Sequence, residues 1–135
     1  MLPMNKLFST LRNFVVSRFN SFKYAFHGWA YVLRTQKNAW IHMTATMLVI
    51  AAGIWLGLSR YEWAILLLVI GIVWIAEFLN TALEAILDIA SPERHPLARI
   101  AKDVGAAAVL IAAVVAVAVG LLILGPPLLA KLGWG

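Results

Sequence analysis

The sequence predicts an all-α membrane protein with three transmembrane helices and one amphipathic helix at the membrane surface. Of its 135 residues, 63% are hydrophobic, and the mean hydropathy is +0.89. A soluble domain of this size could not bury so many apolar side chains, because its surface is too large for its volume. The apolar residues also form three runs, each near the ~20 residues that a bilayer requires. We therefore expect one membrane-embedded domain over residues 1–135.

The segment at residues 6–27 is predicted to be a basic amphipathic helix lying in the membrane interface. Its polar residues fall on one side, and its larger apolar residues share the other: Leu7, Leu11, Phe14, Val15, Phe22 and Phe26. Arg18 is the exception, because it projects into the apolar arc. An arginine in this position can extend to a lipid phosphate, and the alternative is a catalytic role.

Three membrane helices are predicted to follow, over residues 39–58, 61–88 and 97–124. Ser59 and Arg60 form the short turn between the first two. The third is expected to end at Gly125-Pro126-Pro127, since prolines interrupt helices. Small residues recur at every fourth position of this helix, which favours close helix packing within a chain or between subunits: Ala108, Ala112, Ala116 and Gly120.

The distribution of Lys and Arg predicts the orientation in the membrane. Six of these residues precede the first span, one stands in the first loop, three in the second loop and one in the tail. Loops rich in Lys and Arg stay in the cytoplasm. The N-terminus and the second loop are therefore predicted to be cytoplasmic, and the C-terminus to lie outside the cell membrane. With a net charge of +5, anionic lipid headgroups are the expected partner and nucleic acid is not.

Four polar residues form a stripe on the second membrane helix: Glu77, Asn80, Glu84 and Asp88. Their spacings of three, four and four residues place them within one arc of roughly 80°. If Trp63 marks the outer edge of a ~30 Å hydrocarbon core, Glu77 is roughly 9 Å inside the cytoplasmic boundary. An ionisable group at that depth is costly and typically functional. The structural alternative is a hydrogen bond to a neighbouring helix.

Two charged segments are expected at the same membrane level as the stripe, at residues 34–38 and 101–105. In the second segment, Lys102 and Asp103 could anchor a helix end, or could bind a nucleotide phosphate and a metal together with the stripe. The three histidines are scattered, and the chain has no cysteine and no HExxH pattern. They are therefore assigned no zinc role.

The segment AEFLNTALEAILD at residues 76–88, followed by HPLARIAKD at 95–103, resembles the small bacterial integral-membrane lipid kinases, the diacylglycerol kinase and undecaprenol kinase family. The resemblance extends over residues 21–124, and the E-x-x-N-[ST]-A-x-E-x-x-x-D block with the downstream A-K-D is very specific to that family. It implies an ATP- and Mg²⁺-dependent lipid kinase that works as a homotrimer with sites between subunits. The chain has no Walker A loop, and composition alone indicates no kinase.

The resemblance also implies roles for individual residues. Glu77 matches the catalytic carboxylate, which takes the proton from the lipid hydroxyl, and Asn80 matches the polar residue beside it. Glu84 matches a carboxylate that binds the metal with the ATP phosphates. The positions that contact the nucleotide in the family correspond to Lys102, Asp103 and, approximately, Arg18.

One position departs from the family pattern. At Gln36 the family usually has a glutamate, which completes the metal site with the residue that matches Glu84. Glutamine offers a neutral oxygen instead of a carboxylate, so it is expected to hold Mg²⁺ more weakly.

The resulting expectation is phosphorylation of a membrane lipid alcohol, undecaprenol or diacylglycerol, at the cytoplasmic surface. The HPLA run at residues 95–98 looks more like the undecaprenol branch. The alternatives are a catalytically impaired relative of the same fold or a non-enzymatic helix bundle that passes ions.

Overall fold

The computed structural model describes residues 4–91 and 95–134, without the side chains of residues 4–11 and 15. This part of the chain is helical and contains no strand. The four helices are α1 (Met4–Thr35), α2 (Lys37–Leu56), α3 (Arg60–Ala90) and α4 (Pro96–Lys131). The last three are long and apolar enough to cross a membrane, which confirms the predicted number of membrane helices. The chain divides into two compact units, residues 1–37 and 38–135.

Helix α1 is longer than predicted, because it continues past His27 to Thr35. Gly28 does not end it, since one glycine inside a helix costs only about 1 kcal/mol relative to alanine. On the described part of its surface, Arg18 lies over the ring of Phe14, 5.3 Å from the centroid. The side chains of three residues of the predicted apolar face are not among those that the structure describes: Leu7, Leu11 and Val15.

The turn between α2 and α3 lies at residues 57–59, so it begins two residues earlier than predicted, and Arg60 already belongs to α3. Gly57 follows α2 with a φ of 73°, a conformation that glycine adopts without steric cost. Ser59 caps α3 in a capping box with Glu62. The Ser59 amide donates to the Glu62 carboxylate at 2.7 Å, and the Glu62 amide donates to the Ser59 hydroxyl at 3.4 Å. Two backbone N–H donors, those of Ser59 and Glu62, thereby gain acceptors at the point where the chain reverses.

The predicted end of the last helix is wrong, because α4 continues through Pro126 and Pro127 to Lys131. A proline removes its own N–H donor but keeps a φ that a helix allows, so the chain can remain helical where other contacts hold it. Lys131 supplies such a contact. Its amine donates to the carbonyl oxygen of Trp55 and lies 4.6 Å from the centroid of the Trp55 ring. The last turn of α4 is therefore fastened to the end of α2.

Within the second unit, α3 packs along α4. The buried apolar residues come mainly from one face of α3, with smaller contributions from α4 and α2: Leu66, Val69, Val73, Trp74, Val109, Ala112 and Ala39. Many large apolar side chains remain exposed on α2, α3 and α4. Such a surface is unfavourable in water but suits a hydrocarbon solvent. Of the small residues spaced along α4, Ala112 is buried.

Candidate functional site

The polar stripe of α3 runs from a buried position to an exposed one. Glu77 is 1% exposed and Asn80 9%, Glu84 is half-buried, and the side chain of Asp88 is 66% exposed. The helical spacing puts all four on one face, and the neighbouring helices cover the end that carries Glu77. The stripe thus connects a buried carboxylate with the charged end of the bundle.

Glu77 faces a residue that the sequence did not single out for this site, His42 on α2. The Nε2 atom of His42 lies 3.7 Å from Oε2 of Glu77. Both atoms are buried, and neither has a hydrogen-bond partner within the described chain. The ring of His42 meets Trp74 edge-on, with centroids 6.3 Å apart. The only sequence signal was an ionisable residue inside an otherwise uncharged apolar run.

Asn80 links the stripe to α4. Its Nδ2 donates to Oε1 of Glu84 at 3.1 Å, whereas its Oδ1 is buried without a partner among the described residues. That oxygen points at Gly105, where an added Cβ would lie only 2.3 Å away. Gly105 therefore allows the Asn80 amide to sit against the backbone of α4. Sequence reasoning missed this contact, since it depends on the register between the two helices.

Lys102 joins the stripe from α4 by an ion pair with Asp88. The structure therefore brings one of the predicted nucleotide residues to the exposed end of the stripe. Asp103 follows on the next position of α4 and is exposed. Charges on two helices thus meet at one end of the second unit, with Glu84 between them and Glu77.

Arg18 and Gln36 belong to the first unit, residues 1–37. Gln36 follows α1, and its backbone N–H donates to the Val32 carbonyl at 2.9 Å. The guanidinium of Arg18 lies over Phe14. The participation of both residues in the site therefore remains a prediction from the resemblance.

The donor set of the stripe suits a magnesium ion that arrives with a nucleotide. No group of three or more His, Cys, Asp or Glu residues in the described ranges could hold a metal ion by itself. Mg²⁺ is usually bound by one or two carboxylates, waters and substrate phosphates. The half-buried Glu84 supplies such a carboxylate, and the Oδ1 atom of Asn80, which has no partner among the described residues, lies on the neighbouring side chain.

A groove of about 320 Å³ opens beside the site between α3 and α4. Apart from Asn80 its lining is apolar: Ile72, Ile75, Ala76, Leu79, Leu83, Gly105 and Ala108. An apolar chain could lie in it with a polar group near Asn80, while a charged ligand could approach Lys102 from the exposed end. The arrangement can therefore bring an apolar and a charged reactant to one carboxylate.

The chain is similar to proteins of known families. The family model described as prokaryotic diacylglycerol kinase matches residues 23–124. An undecaprenol kinase of Bacillus subtilis is 40% identical over 117 residues, which are 87% of this chain and 95% of that protein. A diacylglycerol kinase of Synechocystis is 46% identical over 110 residues, 81% of this chain and 63% of that protein. A diacylglycerol kinase of Escherichia coli is 38% identical over 88 residues, 60% of this chain and 72% of that protein.

Proposed function

We propose a specific reaction for this chain, which belongs to the prokaryotic diacylglycerol kinase family. The chain is accordingly a multi-pass membrane protein and a lipid kinase, a phosphotransferase. In the proposed reaction, it transfers the γ-phosphoryl group of ATP to the hydroxyl of a membrane lipid alcohol at the cytoplasmic face. The observation that carries the proposal is the buried Glu77, at the end of a polar stripe whose other end is exposed and charged.

In this mechanism Glu77 is the general base. Its carboxylate takes the proton of the lipid hydroxyl, the hydroxyl oxygen bonds to the γ-phosphorus, and the bond from that phosphorus to the oxygen of ADP breaks. Two features support this role. Glu77 is buried at the inner end of the stripe, and an apolar groove that could hold a lipid chain opens beside its neighbour Asn80.

The charged end of the stripe would bind the nucleotide. Lys102 is paired with Asp88, and the phosphates of ATP would compete for its amine. Asp103 and Arg18 are the other proposed nucleotide contacts. Glu84 and Gln36 would hold Mg²⁺, which neutralises phosphate charge in phosphoryl transfer.

The assembly and orientation belong to the same proposal. The helix over residues 6–27 would lie on the cytoplasmic surface, with the N-terminus inside and the C-terminus outside. A homotrimer is proposed with sites between subunits. It is supported by the many apolar side chains that the single chain leaves exposed and by an apolar space of about 490 Å³ among α2, α3 and α4.

For the substrate we rank undecaprenol ahead of diacylglycerol. The HPLA run at residues 95–98 favours it, and the chain covers 95% of the relative named as an undecaprenol kinase. The relative named as a diacylglycerol kinase in Synechocystis is, however, more identical where it aligns. The family-level resemblance therefore leaves both alcohols to be tested.

The test is phosphorylation of each lipid alcohol by the purified protein in detergent. We expect a phosphorylated lipid that requires both ATP and Mg²⁺, with undecaprenol the faster substrate. Omission of either ATP or Mg²⁺ serves as the control. If neither alcohol is phosphorylated by folded protein with both present, the proposed reaction is wrong, and the non-enzymatic alternative takes its place.

A further inference from the structure

We propose that His42 is a positioning residue for the catalytic carboxylate: its ring Nε2–H holds Oε2 of Glu77, so that the other carboxylate oxygen faces the lipid hydroxyl. This inference rests on the proposed function of Glu77 as the base. It comes from the two buried polar atoms, one on α2 and one on α3, that face each other without another partner in the described chain.

The distance between the two atoms limits what can connect them. At 3.7 Å they are about 0.7 Å too far apart for an ordinary hydrogen bond. They are also too close for a bridging water, whose two hydrogen bonds of about 2.8 Å meet at a near-tetrahedral angle and would separate the atoms by roughly 4.5 Å. A direct bond therefore needs only a small side-chain movement. Leaving both groups unpaired in the hydrocarbon region would be costly.

The surroundings of His42 restrict the direction of its ring. The ring packs edge-on against Trp74, and the indole Nε1 of Trp74 donates to the Thr46 hydroxyl at 3.3 Å. Thr46 lies one helical turn from His42 on α2, and Trp74 lies three residues before Glu77 on α3. These contacts hold α2 against α3 beside the carboxylate, as a group that orients a catalytic base requires.

The alternative is that His42 only packs between the helices, and matched variants separate the two roles. His42→Leu and His42→Met fill the volume without a donor, whereas His42→Gln keeps a side-chain N–H. Thr44→Val is the control, because it removes an exposed hydroxyl of α2 that bonds to the Trp40 carbonyl of the same helix, two residues from His42. Each is measured for kcat, for the KM of ATP and of the lipid alcohol, and for thermal stability in detergent.

If His42 positions Glu77, both apolar variants lower kcat by about tenfold or more, while either KM changes by less than about threefold. His42→Gln recovers most of the rate, and Thr44→Val keeps it. In a Glu77→Gln background, His42→Leu lowers the residual rate no further, because the two residues act as one unit.

Other outcomes overturn the inference. One is a normal kcat in folded His42→Leu or His42→Met when Glu77→Gln is inactive. In that case the inference about His42 is wrong, but the proposed function of Glu77 still holds. Another is an equal loss of kcat in His42→Gln and the apolar variants, since a retained donor should help. If Glu77→Gln itself is fully active, the proposed role of Glu77 fails, and the inference fails with it.

Discussion

Glu77 and Asn80 are polar side chains buried within the second unit, and each has an oxygen without a hydrogen bond among the described residues. Such atoms are rare in folded proteins, and each requires a physical reason, such as strain, catalysis or a bound ligand. Asn80 already uses its amide nitrogen on Glu84, so its oxygen is the free acceptor. We infer that a bound reactant satisfies the Asn80 oxygen in the working enzyme, whereas the unpaired oxygen of Glu77 is the one that faces His42.

Gln36 offers a residue-scale test of the proposed metal site. We predict that Gln36→Glu lowers the Mg²⁺ concentration for half-maximal activity by about threefold or more, because a carboxylate binds a hard cation better than an amide does. The measurement is lipid phosphorylation as a function of Mg²⁺ concentration.

Thr35→Glu is the matched control for that experiment, because it adds the same charge one residue before Gln36, at the last position of α1. Its Mg²⁺ requirement should stay near that of the wild type. An unchanged requirement in Gln36→Glu, or an equal shift in both variants, would mean that Gln36 does not bind the metal.

The sequence could identify the stripe but not its partners. Glu77, Asn80 and Glu84 share a face because of helical spacing, which can be read directly from residue numbers. His42 carries no such signal, since a single histidine in an apolar run has no spacing to interpret. Its approach to Glu77 depends on how α2 and α3 pack, and that packing is decided by the side chains of both helices together.

At the scale of the helices, α3 and α4 are close enough at the site for one glycine to matter. A Cβ on Gly105 would lie 2.3 Å from Oδ1 of Asn80 and 3.3 Å from Cδ2 of Leu83. The Asn80 amide would have to rotate away, which would also break its bond to Glu84. Gly105 thus couples the packing of two helices to the geometry of the polar stripe.

We therefore predict that Gly105→Ala lowers stability by roughly 1–3 kcal/mol, as overpacking of a well-packed site typically does. Lipid phosphorylation should fall by at least about tenfold, since Asn80 and Glu84 are both displaced. Thermal unfolding in detergent and the rate of lipid phosphorylation are the measurements.

Gly71→Ala is the control for this substitution, because Gly71 is also in a helix and an added Cβ there has no neighbour within 4 Å. It should change neither stability nor rate appreciably. If Gly105→Ala behaved in the same way, α3 and α4 would not be in close contact at the site.

Element boundaries were predictable where local chemistry decides them. The turn before α3 follows from Ser59 and Glu62, a capping box visible in the sequence. The end of α4 was not predictable in this way. The local rule for Pro126 and Pro127 predicts a helix end, but Lys131 holds the following turn through a contact with Trp55, 76 residues earlier in the chain.

At the scale of the whole molecule, the exposed apolar side chains of α2, α3 and α4 require contact with lipid or with further subunits. The proposed reaction additionally requires the charged end of the stripe to face the cytoplasm, because ATP is there. Lys102 and Asp88 pair at that end, close in sequence to the loop between α3 and α4. The orientation of this loop is therefore a condition for the proposed function.

We predict that a reporter inserted between α3 and α4 is cytoplasmic, and that reporters between α2 and α3 or after Gly135 are outside, because of the Lys and Arg distribution. Paired reporters active on opposite sides of the membrane provide the measurement. The reverse pattern would place the proposed ATP site outside the cytoplasm and would contradict the kinase mechanism.

The most direct test of the account is the rate of ATP-dependent lipid phosphorylation by purified Glu77→Gln beside the wild type, with thermal stability measured on the same preparations. Glutamine keeps the shape of the side chain but cannot take a proton. We predict a loss of at least about a hundredfold, within the 10²–10⁴-fold range typical of general-base catalysis, with little change in stability. A folded Glu77→Gln protein with a rate within a few-fold of wild type would contradict the account, because Glu77 would then be a packing residue.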